Sequence, residues 1–323
     1  MFDTETVSLW RCMLHDDDWQ VRQEALKVLE LAISYGMLSL YASVSAHGGT
    51  GDLRQQVFDT ETVSVLCSML HDDDWAVRQE VLKVLGLAIY HSMLSLWASV
   101  CAYSETGDLR HQVFDNEIVS VWRSMLYDDD CDVRQEALKV LGLVISYSML
   151  HLCASVCAHS GTGDLRQQMF DTETISTWRS MLQDDDWIVR QEALNVLCCA
   201  IHQSMLPLCV SVGAHGGTGD LRQQLFDAET VSVWHSMLHD DNCHVRQEAR
   251  NVSGLAIYHS SSPPFYFSIW THSEPGDLRP QMFDTETVSV WHNMLHDDDC
   301  DVRQEALKIL GVAISHGMLS LLC

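Results

Sequence analysis

The chain has 323 residues, 47% of them hydrophobic and 20% charged, which is enough apolar material for a sizeable core and too much for a disordered tail. Against 19 Lys and Arg stand 45 Asp and Glu, a formal net charge of -26, so the field of the molecule repels nucleic acid and anionic lipid and favours basic partners. The chain opens MFDTETVSLW, with no basic segment leading an apolar run; its 12 cysteines therefore read as thiols of a reducing compartment, cytoplasm or nucleus, and not as a secreted disulfide scaffold.

In chain order the first signal is a repeat. Phe2, Phe58, Phe114, Phe170 and Phe226, each followed by Asp, recur every 56 residues, and Phe283 follows 57 later. Six units in tandem form one repeat domain over 1–323 whose terminal units are incomplete, the mark of a solenoid in which each unit buries its apolar face only against its neighbours. In the first unit Val7, Trp10, Met13 and Leu14 stand at helical spacing and predict a medium helix, with Glu5 in its first turn suiting the positive end of the helix dipole. The polar break HDDDW follows, with Asp18 placed as an N-cap. Val21, Ala25, Val28, Leu29, Ala32 and Ile33 then predict a longer antiparallel helix. The segment from Gly51 to Gln56 reads as a short capped helix ahead of the next unit. Nothing alternates with period two, so no sheet is expected. No apolar run reaches the roughly 20 residues of a membrane span; the stretch near Met93 to Ala102 is interrupted by serines.

These residues carry a family resemblance. The string from Asp72 to Ile89, DDDWAVRQEVLKVLGLAI, resembles the second half of a HEAT repeat, and the preceding GDLRQQVFDTETVSVL resembles the first two helices of an armadillo repeat; the likeness covers all six units. It implies an all-α, right-handed α-solenoid and a non-enzymatic scaffold that holds a protein or peptide along its concave surface. It also implies a ladder between stacked units, built from an Asp in the interhelix turn and an Arg six residues later. Asp16 and Arg22, Asp72 and Arg78, Asp128 and Arg134, Asp184 and Arg190, Asp240 and Arg246, and Asp297 and Arg303 keep that spacing. The candidate partner-binding residues are the exposed polar positions that follow on the long helices: Gln23, Glu24 and Lys27, Gln79, Glu80 and Lys83, Gln135, Glu136 and Lys139.

Chemistry candidates are weaker. The triplet Asp16-Asp17-Asp18 and its copies offer hard oxygen ligands, but lack the spacing and glycine of a calcium loop; one Asp is wanted as a cap and another for the ladder. Deoxyhypusine hydroxylase, a HEAT-like oxygenase family, binds iron through His-Glu pairs where this chain has Gln-Glu (Gln23-Glu24 and its copies), so the imidazoles that iron sites need are missing. Histidines are exchanged freely in one column, His15, His71, Tyr127, Gln183, His239 and His296, and Trp alternates with Cys in another, Trp19, Trp75, Cys131, Trp187, Cys243 and Cys300. Cys153, Cys157 and His159, and Cys198, Cys199 and His202, have tolerable ligand spacing but do not recur. No catalytic residue, metal or cofactor is assigned. Trp10, Trp122, Trp178, Trp234 and Trp291 share a face with Val and Met and read as core.

The 56-residue period exceeds the roughly 40 to 47 residues of an armadillo or HEAT unit. The excess lies in segments such as Met37 to Thr50, for which two readings stay open. One is an extra short amphipathic helix and loop on the surface. The other is translated intron: Gly36, Ser92, Ser148, Ser204 and Gly317 are each followed by Met and so encodable as GTATG, a start of short fungal introns, while Thr50, Thr106, Thr162, Thr218 and Pro275 are each followed by Gly and can supply a terminal CAG. Excision there would remove 15 residues and leave 41, about the armadillo length. The segment from Ser260 to Pro275, unlike its relatives, fits a shifted frame. A third functional reading follows, an inactive fragment of a larger multidomain protein. Apolar faces on the end units also predict self-association.

Overall fold

The computed structural model describes residues 4–43, 60–102, 116–154, 172–204, 228–260, 295–296, 303–304 and 306–308. Ten α-helices and no strand occur among them, five pairs of a medium and a long helix. The chain divides into two compact units, Met1–Asp171 and Thr172–Cys323. The first holds α1 (Thr4–Met13), α2 (Trp19–Ser43), α3 (Thr60–Met69), α4 (Trp75–Ala102), α5 (Asn116–Met125) and α6 (Cys131–Ala154); the second holds α7 (Thr172–Met181), α8 (Trp187–Ser204), α9 (Ala228–Met237) and α10 (Cys243–Ser260). The short helix expected from Gly51 to Gln56 lies outside the described residues, as do its copies.

In four of the five pairs a Trp on the medium helix bonds to an Ala on its long partner. Trp10 Nε1 donates to the Ala25 carbonyl at 2.8 Å, and Trp122, Trp178 and Trp234 do the same to Ala137, Ala193 and Ala249 at 3.2, 3.0 and 2.8 Å. The indoles of Trp122, Trp178 and Trp234 are wholly buried, so the expected core role is what the structure shows, and the ring's polar edge is satisfied as a buried N–H must be. In the second repeat Leu66 replaces the indole and Val81 replaces the small residue opposite, both at 0% exposure. A smaller side chain on one helix is matched by a larger one on the other, as close packing demands.

The long helices supply the contact between repeats. In the first unit α2 stacks on α4 and α4 on α6; in the second, α8 stacks on α10. Leu26, Leu29, Leu82, Leu85, Leu138 and Leu141 are buried to 1% exposure or less, each contributing about 1.5–3 kcal/mol. One boundary differs from the sequence reading. Gly36, Ser92 and Ser148 do not end their helices: α2, α4 and α6 run through them and take up the first residues of the extra segments. A single Gly or Ser costs a helix only about 1 kcal/mol, and the flanking Met and Leu are good helix formers. The remainder of each segment lies outside the described residues.

Candidate functional site

The interhelix turn gives each Asp of a triplet a separate task. Asp16 Oδ1 accepts from the Asp18 amide at 2.9 Å, closing the turn, and Asp18 Oδ1 accepts from the Gln20 amide at 2.9 Å, capping α2. The same two bonds recur at Asp72 and Asp74, Asp128 and Asp130, and Asp184 and Asp186. In the fifth repeat Asn242 caps α10 through its amide oxygen. The middle residue, Asp17, Asp73, Asp129, Asp185 or Asp241, is exposed. The carboxylates thus point to different partners, and among the described residues no three His, Cys, Asp or Glu are grouped to hold a metal ion.

Six residues beyond the first Asp, the Arg joins repeats. Arg22 Nη1 donates to the carbonyls of Asp16 and Asp17 in its own turn, while Nε and Nη2 form a fork on Asp72 of the next repeat, both at 2.7 Å. Arg78 grips Asp128 in the same way at 2.7 Å. Arg190 grips Asp240 with both bonds at 2.8 Å and adds a bond to Asp241. Partners are largely buried, with side-chain exposures of 15% and 7% for Arg78 and Asp128, so this bidentate pairing is charge-assisted and weakly screened. Hydrogen bonding to Asp72 raises the Arg22 pKa despite burial. Burial pushes the Asp240 carboxyl up, but the Arg190 fork and the Asn242 amide outweigh it and hold the group below its usual value. Arg134 and Arg246 make the same bonds to their own turns. Asp297 lies outside the described residues, and Arg303 is half-buried on a helical stretch.

The candidate binding row splits. Lys27 pairs with Glu24 at 2.7 Å, Lys83 with Glu80 at 3.2 Å and Lys139 with Glu136 at 2.9 Å, all within one helix turn. Glu24 is exposed as the sequence suggested, but Glu80 and Glu136 are not: they are 2% and 8% exposed. Glu80 and its counterpart Glu248 each face the residue that the preceding long helix presents at the position of Glu30. In the first repeat that residue is Glu30 itself, whose pKa is raised by burial and by the charge and hydrogen bond of Glu80, against the lowering effect of Lys83 and Lys27. In the fourth it is Cys198, whose buried thiol donates to Glu248 at 3.4 Å and is pushed up by burial and that carboxylate. What remains open to solvent is the amide and ammonium row: Gln23, Lys27, Gln79, Lys83, Gln135 and Lys139 are all partly exposed. Gln79 Oε1 accepts from Lys83 at 3.4 Å.

A second ladder escaped the sequence reading. Arg11, at the end of α1, donates to Glu61 Oε2 at 2.7 Å and Thr62 Oγ1 at 3.2 Å of the next repeat, and Arg179 donates to Glu229 at 2.7 Å and Thr230 at 2.9 Å. The signal was in the columns: where Arg gives way to Cys67, the following repeat carries Ile118 in place of Thr.

Comparison with solved structures identifies the architecture. An engineered protein aligns over 98% of this chain and 100% of its own length, with a TM-score of 0.57 and 21% identity. A designed armadillo repeat protein in complex with the peptide (KR)4 aligns over 96% and 99%, with a TM-score of 0.56 and 16% identity. The fold is that of an armadillo repeat array. Computationally designed armadillo repeat proteins for modular peptide recognition agree, with a TM-score of 0.54, 13% identity and 95% of this chain covered. No protein-family model and no curated protein matches the sequence. No helix among the described residues is long and apolar enough to cross a membrane.

Proposed function

We propose that this armadillo array is a non-enzymatic scaffold that binds an extended, basic peptide segment along its long-helix face. The observation that carries the reading is the amide row. The side chains of Gln23 and Gln135 stand partly exposed at the same register on α2 and α6 with no side-chain hydrogen bond among the described residues, and Gln79 continues the row between them. An amide offers both a donor and an acceptor, which is what an extended peptide backbone requires at regular intervals. The surrounding charge selects the ligand: the net charge of -26 draws a cationic segment and raises its encounter rate. The structural likeness to a designed armadillo protein complexed with (KR)4 supports the same chemistry. The oxygenase alternative loses ground because the Gln-Glu carboxylates are engaged by Lys83 and Lys139.

Fluorescence anisotropy with a labelled peptide of alternating Lys and Arg tests the reading. Binding at low salt should weaken at least several-fold at 0.5 M salt, and Gln23→Ala with Gln135→Ala should weaken it further at fixed salt. No binding at low salt, or equal affinity for a poly-Glu peptide, would overturn it.

A further inference from the structure

In the first unit a buried carboxylate is met by lysines from two helices. Glu80 pairs with Lys83 of its own helix at 3.2 Å. It also acts on Lys27 of the preceding helix, whose pKa is raised by its hydrogen bond to Glu24 and further by the charge of Glu80. With cations on both sides Glu80 is only 2% exposed, as a buried charge requires. Glu136 has Lys139 on its own helix at 2.9 Å and Lys83 at the corresponding place on the helix before.

The second unit repeats this arrangement without its cations. Glu248 corresponds to Glu80, and the two lysine positions are filled by Asn195 on α8 and Asn251 on α10. Among the carboxylates of this column that have a long helix before them, Glu248 alone has Asn at both places: Glu192 keeps Lys139 behind it, and Glu305 keeps Lys308 ahead of it. Because α8 packs on α10 and the Cys198 thiol donates to Glu248 Oε1 at 3.4 Å, the carboxylate stands beside the turn that carries Asn195. Asn251 Nδ2 donates to its other oxygen at 3.1 Å. Both partners are neutral, and no ion pair reaches Glu248 among the described residues. Arg250, two residues on, is 1% exposed and donates to Gln247. Unlike Glu80, Glu248 is partly exposed, as is Asn195, whose side-chain amide has no hydrogen bond among the described residues. A carboxylate partly withdrawn from water and held only by neutral donors is where a cationic group gains most.

We propose that Glu248, flanked by Asn195 and Asn251, is the subsite that receives a Lys or Arg side chain of the bound peptide, the ligand's cation taking the part that lysine plays in the first unit. The exchange of Lys for Asn fixes where along the row that charge is read: Lys27, Lys83 and Lys139 occupy the carboxylates of repeats one to three, whereas the amides of repeats four and five leave Glu248 to the ligand. The assignment rests on the basic-peptide reading and adds a position to it.

Fluorescence anisotropy at low salt, with the full chain and the labelled peptide of alternating Lys and Arg, tests it. Asn195→Lys with Asn251→Lys restores the lysine arrangement of the first unit and should weaken binding about tenfold, the scale of one lost hydrogen bond to a charged group. Ser176→Lys with Ser232→Lys, at exposed positions on α7 and α9, adds the same charge elsewhere and should weaken it far less. Glu248→Gln should by itself cost about tenfold, and in its background the asparagine exchange should cost no more than the serine exchange does. Wild-type binding that the asparagine exchange weakens no more than the serine exchange, or full additivity of the asparagine exchange with Glu248→Gln, would overturn this assignment and leave the peptide reading standing. No binding by the wild-type chain would overturn both.

Discussion

Repeats four and five sit together in the second compact unit and share one plan, yet two buried leucines of the long helix in one give way to polar residues in the other. Leu194 and Leu197 on α8 are wholly buried hydrocarbon; the corresponding residues on α10 are Arg250 and Ser253, each 1% exposed. Each side chain of the polar pair makes a hydrogen bond one turn back on the same helix. Arg250 Nη1 donates to Gln247 Oε1 at 3.1 Å, three residues back, and Ser253 Oγ donates to the Ala249 carbonyl at 3.3 Å, four residues back. A helix can therefore internalise a polar side chain when a partner lies one turn away, although the bond restores none of the apolar burial that Leu provides. The Trp234 bond to Ala249 and the Arg190 fork on Asp240 are unchanged beside it. A solenoid keeps such a repeat because stability is summed over local cores and nearest-neighbour contacts.

Exchanging the residues measures the difference. Leu194→Arg places a charge in a core shaped for Leu and should destabilise the second unit by about 3–5 kcal/mol in urea unfolding. The reverse change, Arg250→Leu with Ser253→Leu, should stabilise it by about 1–4 kcal/mol. If the Leu194→Arg cost were under about 1 kcal/mol, then Gln191, which occupies the place of Gln247, would suffice to host an Arg, and α10 would not be a weaker core at all.

Most of this plan was legible in the sequence, and the exceptions share a cause. The helices, the Asp caps and the buried Trp column follow from spacing within one repeat, which a linear reading sees directly. The surroundings of Glu80 depend on the Glu30 that the preceding helix sets beside it, and the Arg11 and Arg179 ladder joins residues about 50 positions apart. Those facts belong to the stack. Only paired columns reveal them, as Cys67 with Ile118 does. The candidate row lies on the long helices, but two of its three carboxylates, Glu80 and Glu136, are buried and not open to solvent as expected. The helix running past Gly36 was missed for a different reason: the residues in excess of the usual repeat length were read as a separate element beginning at Met37.

The second and third repeats offer a smaller version of the same comparison. Trp122→Leu recreates the Leu66 side of the pair while leaving Ala137 opposite, so a cavity should cost about 2–4 kcal/mol. Adding Ala137→Val supplies the Val81 side and should recover about 1 kcal/mol of it, a positive coupling that a double-mutant cycle reads directly. Strict additivity would mean that the Leu66–Val81 pair is coincidence and that the interface relaxes without it.

The smallest expected effect separates the first repeat interface from those that follow. Glu30 faces Glu80 with Lys27 and Lys83 beside them, whereas Gly86 and Gly142 occupy its place in the next two repeats. Because burial and the neighbouring carboxylate raise the Glu30 pKa, the folded chain binds more protons at this site than the unfolded chain does. Its contribution is therefore fully present below the ordinary Glu value of about 4.3 and is lost as pH rises through the raised value. Glu30→Gln cannot ionise. Its thermal unfolding midpoint, followed by circular dichroism, should lie above wild type at pH 7 and converge with it toward pH 4. A constant offset between the two at every pH would mean that the neighbouring lysines already neutralise the pair, and that the first interface titrates no differently from its glycine-bearing neighbours.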